Sequence, residues 1–316
     1  MPPVEPTLAA LSNPLLRYAL ATRPAFLSVT LFAALLGLAS AYHSGISIAP
    51  LAATATVFFA VLAHAGINVL NDYYDELNGT DRINGDRIFP FTGGSRFIQN
   101  GVLTLRETAV FGVLLVLAVL VAGLWLTAVS GPGVLLIGAL GMFIGWAYSA
   151  PPPRLNSRGA GEACVAIGFA LIVIGADYVQ RRGFSTLPAI ASACYALLVT
   201  NILYINQFPD RKADELAGKH HWVVRLGPQR ARWAYFVIAV AGYAWLIGAV
   251  VAGVLPLSAL IALLPMVLSW KAGRVLLEYA ARPPLLEPAI RMTIASASAH
   301  GILLAAALVS SAHLLG

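Results

Sequence analysis

Asn68, Asn71, Asp72 and Asp75 recur at intervals of three and four residues, so on a helix they share one face. Two carboxylates and two amides turned the same way form an oxygen-rich donor set suited to a hard divalent cation. An echo follows at Asn206-Gln207-Phe208-Pro209-Asp210, with Asp214 one turn further on. In both stretches an aromatic stands two positions after the Asn and an Asp four positions after it. Magnesium prefers octahedral oxygen ligation, keeps several waters, and is commonly held by one or two carboxylates plus substrate phosphates. Asp72, Asp75 and Asp81, facing Asp210 and Asp214, could thus hold roughly two or three Mg2+ ions around a diphosphate and stabilise its negative charge. Cations for the same cradle stand nearby: Arg96 in Thr92-Gly93-Gly94-Ser95-Arg96, then Lys219 and Arg225 after the second group.

The elements that must position these groups cross a membrane. The chain has 316 residues, 59% of them hydrophobic and only 11% charged, a balance outside that of soluble domains. Apolar runs of spanning length centre on residues 26–42, 48–70, 108–129, 132–150, 162–179, 186–206, 234–252, 254–270 and 289–314, so nine transmembrane helices are expected. The all-α reading is two four-helix units plus a ninth helix around a central cavity. A single transmembrane domain covers residues 1–316, with a cytoplasmic segment over 1–25 and cytoplasmic motif loops over 71–106 and 207–232. Carboxylates at the end of a long uncharged run are costly to place there and mark function.

Charge sets the orientation. Of the 20 Lys and Arg, all but Arg181 and Arg182 fall before the first span or after an even-numbered one, which puts the amino terminus and those loops in the cytoplasm. Of the 14 Asp and Glu, only Asp177 is on the other side, so the chemistry is expected at the cytoplasmic face of an inner membrane. The net charge of +6 is scattered over short connections and forms no basic stripe, which argues against a nucleic-acid partner. Cys164 and Cys194 lie inside apolar runs and read as small core residues. His64 reads as a packed or hydrogen-bonded residue near the cavity, Asp177 with Arg181 as an interfacial ion pair, and no histidine spacing suggests zinc. A cation-coupled transporter is the alternative from another class, but it calls for acids near the membrane midplane and comparable polarity on both faces.

The whole pattern resembles the UbiA superfamily of intramembrane prenyltransferases. The resemblance rests on Asn71-Asp72-x-x-Asp75 with Asp210-x-x-x-Asp214, on Arg23-Pro24, and on Tyr148-Ser149-Ala150-Pro151-Pro152. It extends to Arg158-Gly159-x-Gly161-Glu162 and to Gly218-Lys219 through Val223-Val224-Arg225-Leu226-Gly227. The variant Asp75-x-x-x-Gly79-x-Asp81, with Gly93-Gly94-Ser95-Arg96, is similar to the branch that prenylates 1,4-dihydroxy-2-naphthoate in menaquinone biosynthesis. Where relatives commonly read Gly-Lys-x-Thr this chain has His221, then Trp222, a bulkier rim that bears on the acceptor. Acceptors of the 4-hydroxybenzoate, homogentisate or haem type stay open beside the naphthoate.

The resemblance implies Mg2+-dependent transfer of a polyprenyl group from its diphosphate to an aromatic acceptor, with the tail directed toward the lipid bilayer. Asp72, Asp75, Asp210 and Asp214 would be catalytic through the metal, with Tyr148, Trp146 or Phe143 facing the allylic cation. Asn68, Asn71, Asn206, Arg96, Lys219 and Arg225 would surround the diphosphate, and Arg23 or Arg154 would hold the acceptor's carboxylate. On a naphthoate acceptor, attack at the carboxyl-bearing carbon would be followed by loss of carbon dioxide.

Overall fold

The computed structural model describes residues 4–312. The ends of two sequence expectations, residues 1–3 of the amino-terminal segment and 313–314 of the last span, lie outside the described residues. The described residues form helices and turns without strand. After a short helix, Pro14–Ala21, come spans one to five: Pro24–His43, Pro50–Asn78, Leu105–Ser130, Gly133–Ser149 and Gly161–Arg181. Span six is Thr186–Leu216, span seven Ala234–Val251, and span nine Glu287–Ala312. Eight helical segments are long and apolar enough to cross a membrane, and Gly133–Ser149 is a shorter apolar helix, so the nine expected elements are present among the described residues.

The sixth span is the axis. Within its apolar stretch 72% of residues are buried, against 17% for the third span, so six is surrounded by protein while three faces lipid. A central position lets span six carry polar side chains inside hydrocarbon, because each finds a neighbour's backbone. Tyr195 Oη donates to Val29 O at 2.6 Å, Asn201 Nδ2 to Tyr235 O at 3.1 Å, and Tyr204 Oη to Ala231 O at 2.7 Å. The main core fills the space between this helix and spans one, seven, eight and nine, with Leu36, Ile205, Leu246, Leu276, Ile290 and Leu304 fully enclosed.

Two elements depart from expectation. The stretches 71–78 and 207–216 are helical extensions of spans two and six, so the acids ride on rigid helix ends rather than on motif loops. The eighth span is broken: a 3-10 segment, Leu257–Leu263, is followed by a helix, Met266–Tyr279, that runs nine residues past the expected 270. Pro256 and Pro265 lack the amide hydrogens that continuation needs. The ninth span satisfies the exposed carbonyls, with His300 Nδ1 donating to Ala262 O at 2.8 Å and Ser296 Oγ to Pro265 O at 2.9 Å. Neighbouring helices commonly repair a break in this way at membrane depth.

Spans one and five approach closely at Gly37, where a Cβ would lie 2.2 Å from Val173 O and 2.7 Å from Ala176 Cβ. Gly37→Leu should therefore separate these backbones and destabilise the protein by about 1–3 kcal/mol or more, read as a drop in thermal midpoint in detergent. Gly248→Ala, at a helical position with open space around it, should leave the midpoint unchanged or raise it.

Candidate active site

Span two continues through its motif to Asn78 and stops at Gly79, whose φ of 81° is left-handed, a conformation that glycine adopts without strain. The reversal sends Thr80–Ile83 back along the helix and brings Asp81 beside Asp72 and Asp75. This is why an acid six residues after Asp75 can join the cluster. The Gly93-Gly94 turn then closes over it. A Cβ at Gly94 would sit 2.2 Å from Asp81 Oδ2 and 3.2 Å from Asp72 Oδ1, so the turn needs glycine to approach both carboxylates.

Each acid is oriented by a different neighbour. Asp72 Oδ2 accepts the Ser95 backbone N–H at 3.1 Å. Asp75 accepts Asn71 Nδ2 and Asn78 Nδ2, each at 3.2 Å, and Asn71 Nδ2 also reaches Ser149 Oγ at 2.8 Å. Asp210 Oδ1 accepts Asn84 Nδ2 at 2.6 Å. Asp214 Oδ2 lies 3.0 Å from His221 Nε2.

Lys219 joins the two halves. Its Nζ lies 2.8 Å from Asp75 Oδ1 and 3.2 Å from Asp214 Oδ1, in a site where all three groups are buried. Burial alone would lower the ammonium's pKa, but Asp75 and Asp214 outweigh it and raise the value above the ordinary lysine range. Asp81 is shifted well above the carboxylate range, first by burial and then by the charges of Asp75 and Asp72.

Two cavities meet here. A polar one of about 110 Å³ is lined by Asp75, Asp81, Asp210, Asp214, Lys219 and His221, among others. An apolar one of about 660 Å³ extends from it between spans one to six. Arg23, Asn71, Tyr148, Leu203 and Asn206 line both, so charge gives way to hydrocarbon across a single collar of side chains.

The donor set fits a divalent cation. Asp72 Oδ1 and Asp81 Oδ2 are buried and have no hydrogen-bond partner among the described residues, and a buried carboxylate oxygen left so is costly; of the two, Asp81 lines the polar cavity, whereas Asp72 lines neither and lies behind the Gly94 turn. Among the described residues no three His, Cys, Asp or Glu side chains converge as a ready-made cage. That arrangement suits an ion completed by waters and phosphate oxygens.

Not every expected residue is at the collar. Asn68 lines the apolar cavity and donates to Thr22 O at 3.0 Å, while Asn206 faces both cavities. Arg23 also faces both, with Nη1 3.9 Å from Asp72 Oδ1 and Nη2 donating to Phe91 O at 3.0 Å. Arg154 lines neither cavity. Arg225 is exposed and fastens a loop, donating to His220 O at 2.6 Å and Arg158 O at 2.8 Å, and it lines neither cavity. Arg96 is buried against the backbone carbonyl of Asp81 rather than in the cavity. Phe143 and Trp146 are 58% and 47% exposed on the outside of span four, and of the three rings only Tyr148 faces inward. His64 lines the apolar cavity and is bonded to Thr30 Oγ1 at 2.7 Å. On the opposite side, Arg181 pairs with the buried Asp177 at 2.6 Å.

The structure adds Gln207, Asn84 and Ser149, and turns His221, read from the sequence as part of a bulkier rim, toward Asp214 in the polar cavity. Ser149 is signalled by its place beside Tyr148. Asn84, within Ile83-Asn84-Gly85-Asp86, has the composition of an ordinary turn, and only the tertiary approach of span six gives it a role.

Comparison with known proteins agrees with this geometry. Residues 30–312 match the UbiA prenyltransferase family. A 1,4-dihydroxy-2-naphthoate octaprenyltransferase of Escherichia coli (strain K12) is 33% identical over 220 residues, covering 66% of this chain and 68% of that protein. A protein of the same description from Mycobacterium tuberculosis is 32% identical, covering 58% of this chain and 61% of its own length. Among solved structures, a UbiA homologue from Archaeoglobus fulgidus bound to DMAPP and Mg2+ superimposes with a TM-score of 0.57 at 18% identity, covering 93% of this chain and 99% of that one. That level of identity shows a shared fold. With the family match spanning nearly all of the chain, this protein is a member of the UbiA prenyltransferase family.

Proposed function

We propose that the protein transfers a polyprenyl group from its diphosphate to an aromatic acceptor, with 1,4-dihydroxy-2-naphthoate as that acceptor and Mg2+ as the cofactor. The observation that carries this reading is the pair of joined cavities: an acid-lined pocket sized for a small anionic head, opening into an apolar chamber suited to an isoprenoid tail. The 33% identical relative named for that acceptor supports the choice of naphthoate. We also place the site at the cytoplasmic face, on the strength of the distribution of Lys and Arg.

In this reading Asp72, Asp75 and Asp81 of the first group and Asp210 and Asp214 of the second would hold Mg2+. When bound, Mg2+ supplies Lewis-acid neutralisation of the departing diphosphate. Lys219 presents a permanent ammonium to the same anion. The apolar chamber keeps water from the allylic carbon as its bond to oxygen lengthens. Tyr148, at the collar, turns a ring toward the carbon that becomes cationic and stabilises it through the ring's quadrupole. Arg23 sits within the collar and is the cation best placed to hold an acceptor carboxylate, in preference to Arg154. The acceptor ring carbon then bonds to the prenyl carbon, and a carboxyl group on that ring carbon departs as carbon dioxide.

Purified protein given labelled prenyl diphosphates, Mg2+ and a panel of aromatic acceptors tests class and substrate together, and prenylation of the naphthoate is expected. Asp75→Ala and Asp210→Ala should each lower turnover by about a hundredfold or more, while the helical content stays unchanged. Near-normal turnover in either variant would remove the metal assignment.

The raised pKa of Asp81 gives a signed pH dependence. The unfolded chain loses this proton in the ordinary carboxylate range, whereas the cation-free fold still holds it. The Asp81 contribution to stability is therefore fully present below the unfolded value and is lost as pH rises toward the folded one. Binding a divalent cation displaces the proton, so the rise in thermal midpoint on adding Mg2+ should grow as pH rises from the ordinary carboxylate range toward the raised folded-state value of Asp81. In Asp81→Asn the increment should be smaller and should vary less with pH, and an increment that shrinks with pH in the natural protein would contradict the assignment.

A further inference from the structure

The turn over Asp72 and Asp81 is an unfavourable one to hold. Gly93, Gly94 and Arg96 have φ values of 73°, 71° and 67°. For Arg96, which has a Cβ, such a conformation persists only where its surroundings fix it. One restraint is internal, since Arg96 Nη1 donates to the Asp81 carbonyl.

The other restraints come from the amino-terminal segment. Glu5 Oε1 lies 2.7 Å from Arg87 Nε, while Glu5 Oε2 accepts Asn100 Nδ2 at 3.2 Å and stands 3.8 Å from Arg96 Nε. Asn100 Nδ2 also donates to Pro6 O at 3.0 Å. Behind these contacts Leu11 and Ala21 pack with Phe97, Val102 and Leu103 in a small apolar cluster separate from the main core. Arg87 is further tied to the turn because its Cβ would be only 2.6 Å from a Cβ at Gly93. One carboxylate thus engages residues on both sides of the turn whose Ser95 N–H orients Asp72.

We propose that the segment from Glu5 to Leu11 is a strap across the active-site loop, and that Glu5 is a positioning residue for the metal-binding face. By holding Arg87, Arg96 and Asn100 together, Glu5 keeps the 93–96 turn seated, so that Ser95 engages one oxygen of Asp72 and leaves the other for the ligand. Glu5 itself touches neither cavity. The proposal rests on the diphosphate site described above, but its structural half can be read without turnover.

Hydrogen exchange of the full-length chain, followed by mass spectrometry of the segment 93–100, tests it. Glu5→Gln removes the charge and keeps the shape. It should speed exchange in that segment by about tenfold, leave the nine spans unchanged, and raise the Mg2+ concentration for half-maximal turnover by roughly three- to tenfold. Glu5→Asp should recover part of both effects. Unchanged exchange in 93–100 would overturn the strap, whether or not the protein proves to be a prenyltransferase. Faster exchange with an unaltered Mg2+ requirement would show a purely structural contact and overturn the positioning role. A chain that shows the exchange change but no prenyl transfer to any acceptor would instead locate the failure in the functional reading.

Discussion

A buried ammonium between two buried carboxylates governs this architecture. Lys219 bridges Asp75 at the end of span two and Asp214 at the end of span six, helices that otherwise belong to different halves of the chain. None of the three charges could stay ionised alone at that depth. One ammonium serves two carboxylates there, and among the described residues Asp81 and Asp210 form no ion pair while Asp72 has only Arg23 Nη1 at 3.9 Å. Those uncompensated carboxyl oxygens are what the proposed divalent cation would neutralise.

The bilayer explains the placement of the polar groups that serve no site. Span six can bear Tyr195, Asn201 and Tyr204 because each reaches a carbonyl on an adjacent helix. The interrupted eighth span is tolerated because Ser296 and His300 cover its bared carbonyls. By the same rule the apolar chamber can remain open between spans one to six, since its walls expose little that needs a hydrogen bond. Polarity enters it only at the collar of Arg23, Asn71, Tyr148 and Asn206 and at a few side chains such as Asn68 and His64, each of which has its own partner.

Much of this was legible in the sequence, for identifiable reasons. Helical spacing put Asn71, Asp72 and Asp75 on one face, and the repeated Asn-x-aromatic-x-Asp pattern pointed to span six as the opposing wall. Hydropathy located nine elements, since uninterrupted apolar runs allow few other readings. It located the eighth as well but gave no sign of its internal break, where Pro265 divides a segment whose composition looks continuous. Cation assignments transferred least well, because sequence reveals a charge but not its direction. Arg225 and Arg96 both follow suggestive motifs, yet each spends its guanidinium on backbone carbonyls. Phe143 and Trp146 differ from Tyr148 only in helical phase, and a span whose composition is apolar on all sides gives no cue to phase. The strap at Glu5 had no local signal at all, its partners lying some eighty to ninety-five residues away.

The central claim is that both acid groups grip one ligand. Anomalous diffraction from crystals grown with Mn2+ and a non-hydrolysable prenyl diphosphate analogue measures this directly. The account predicts metal peaks within bonding distance of carboxylates from both Asp72/Asp75/Asp81 and Asp210/Asp214, bridged by the same diphosphate. Metal confined to one group, with the diphosphate elsewhere, would contradict it.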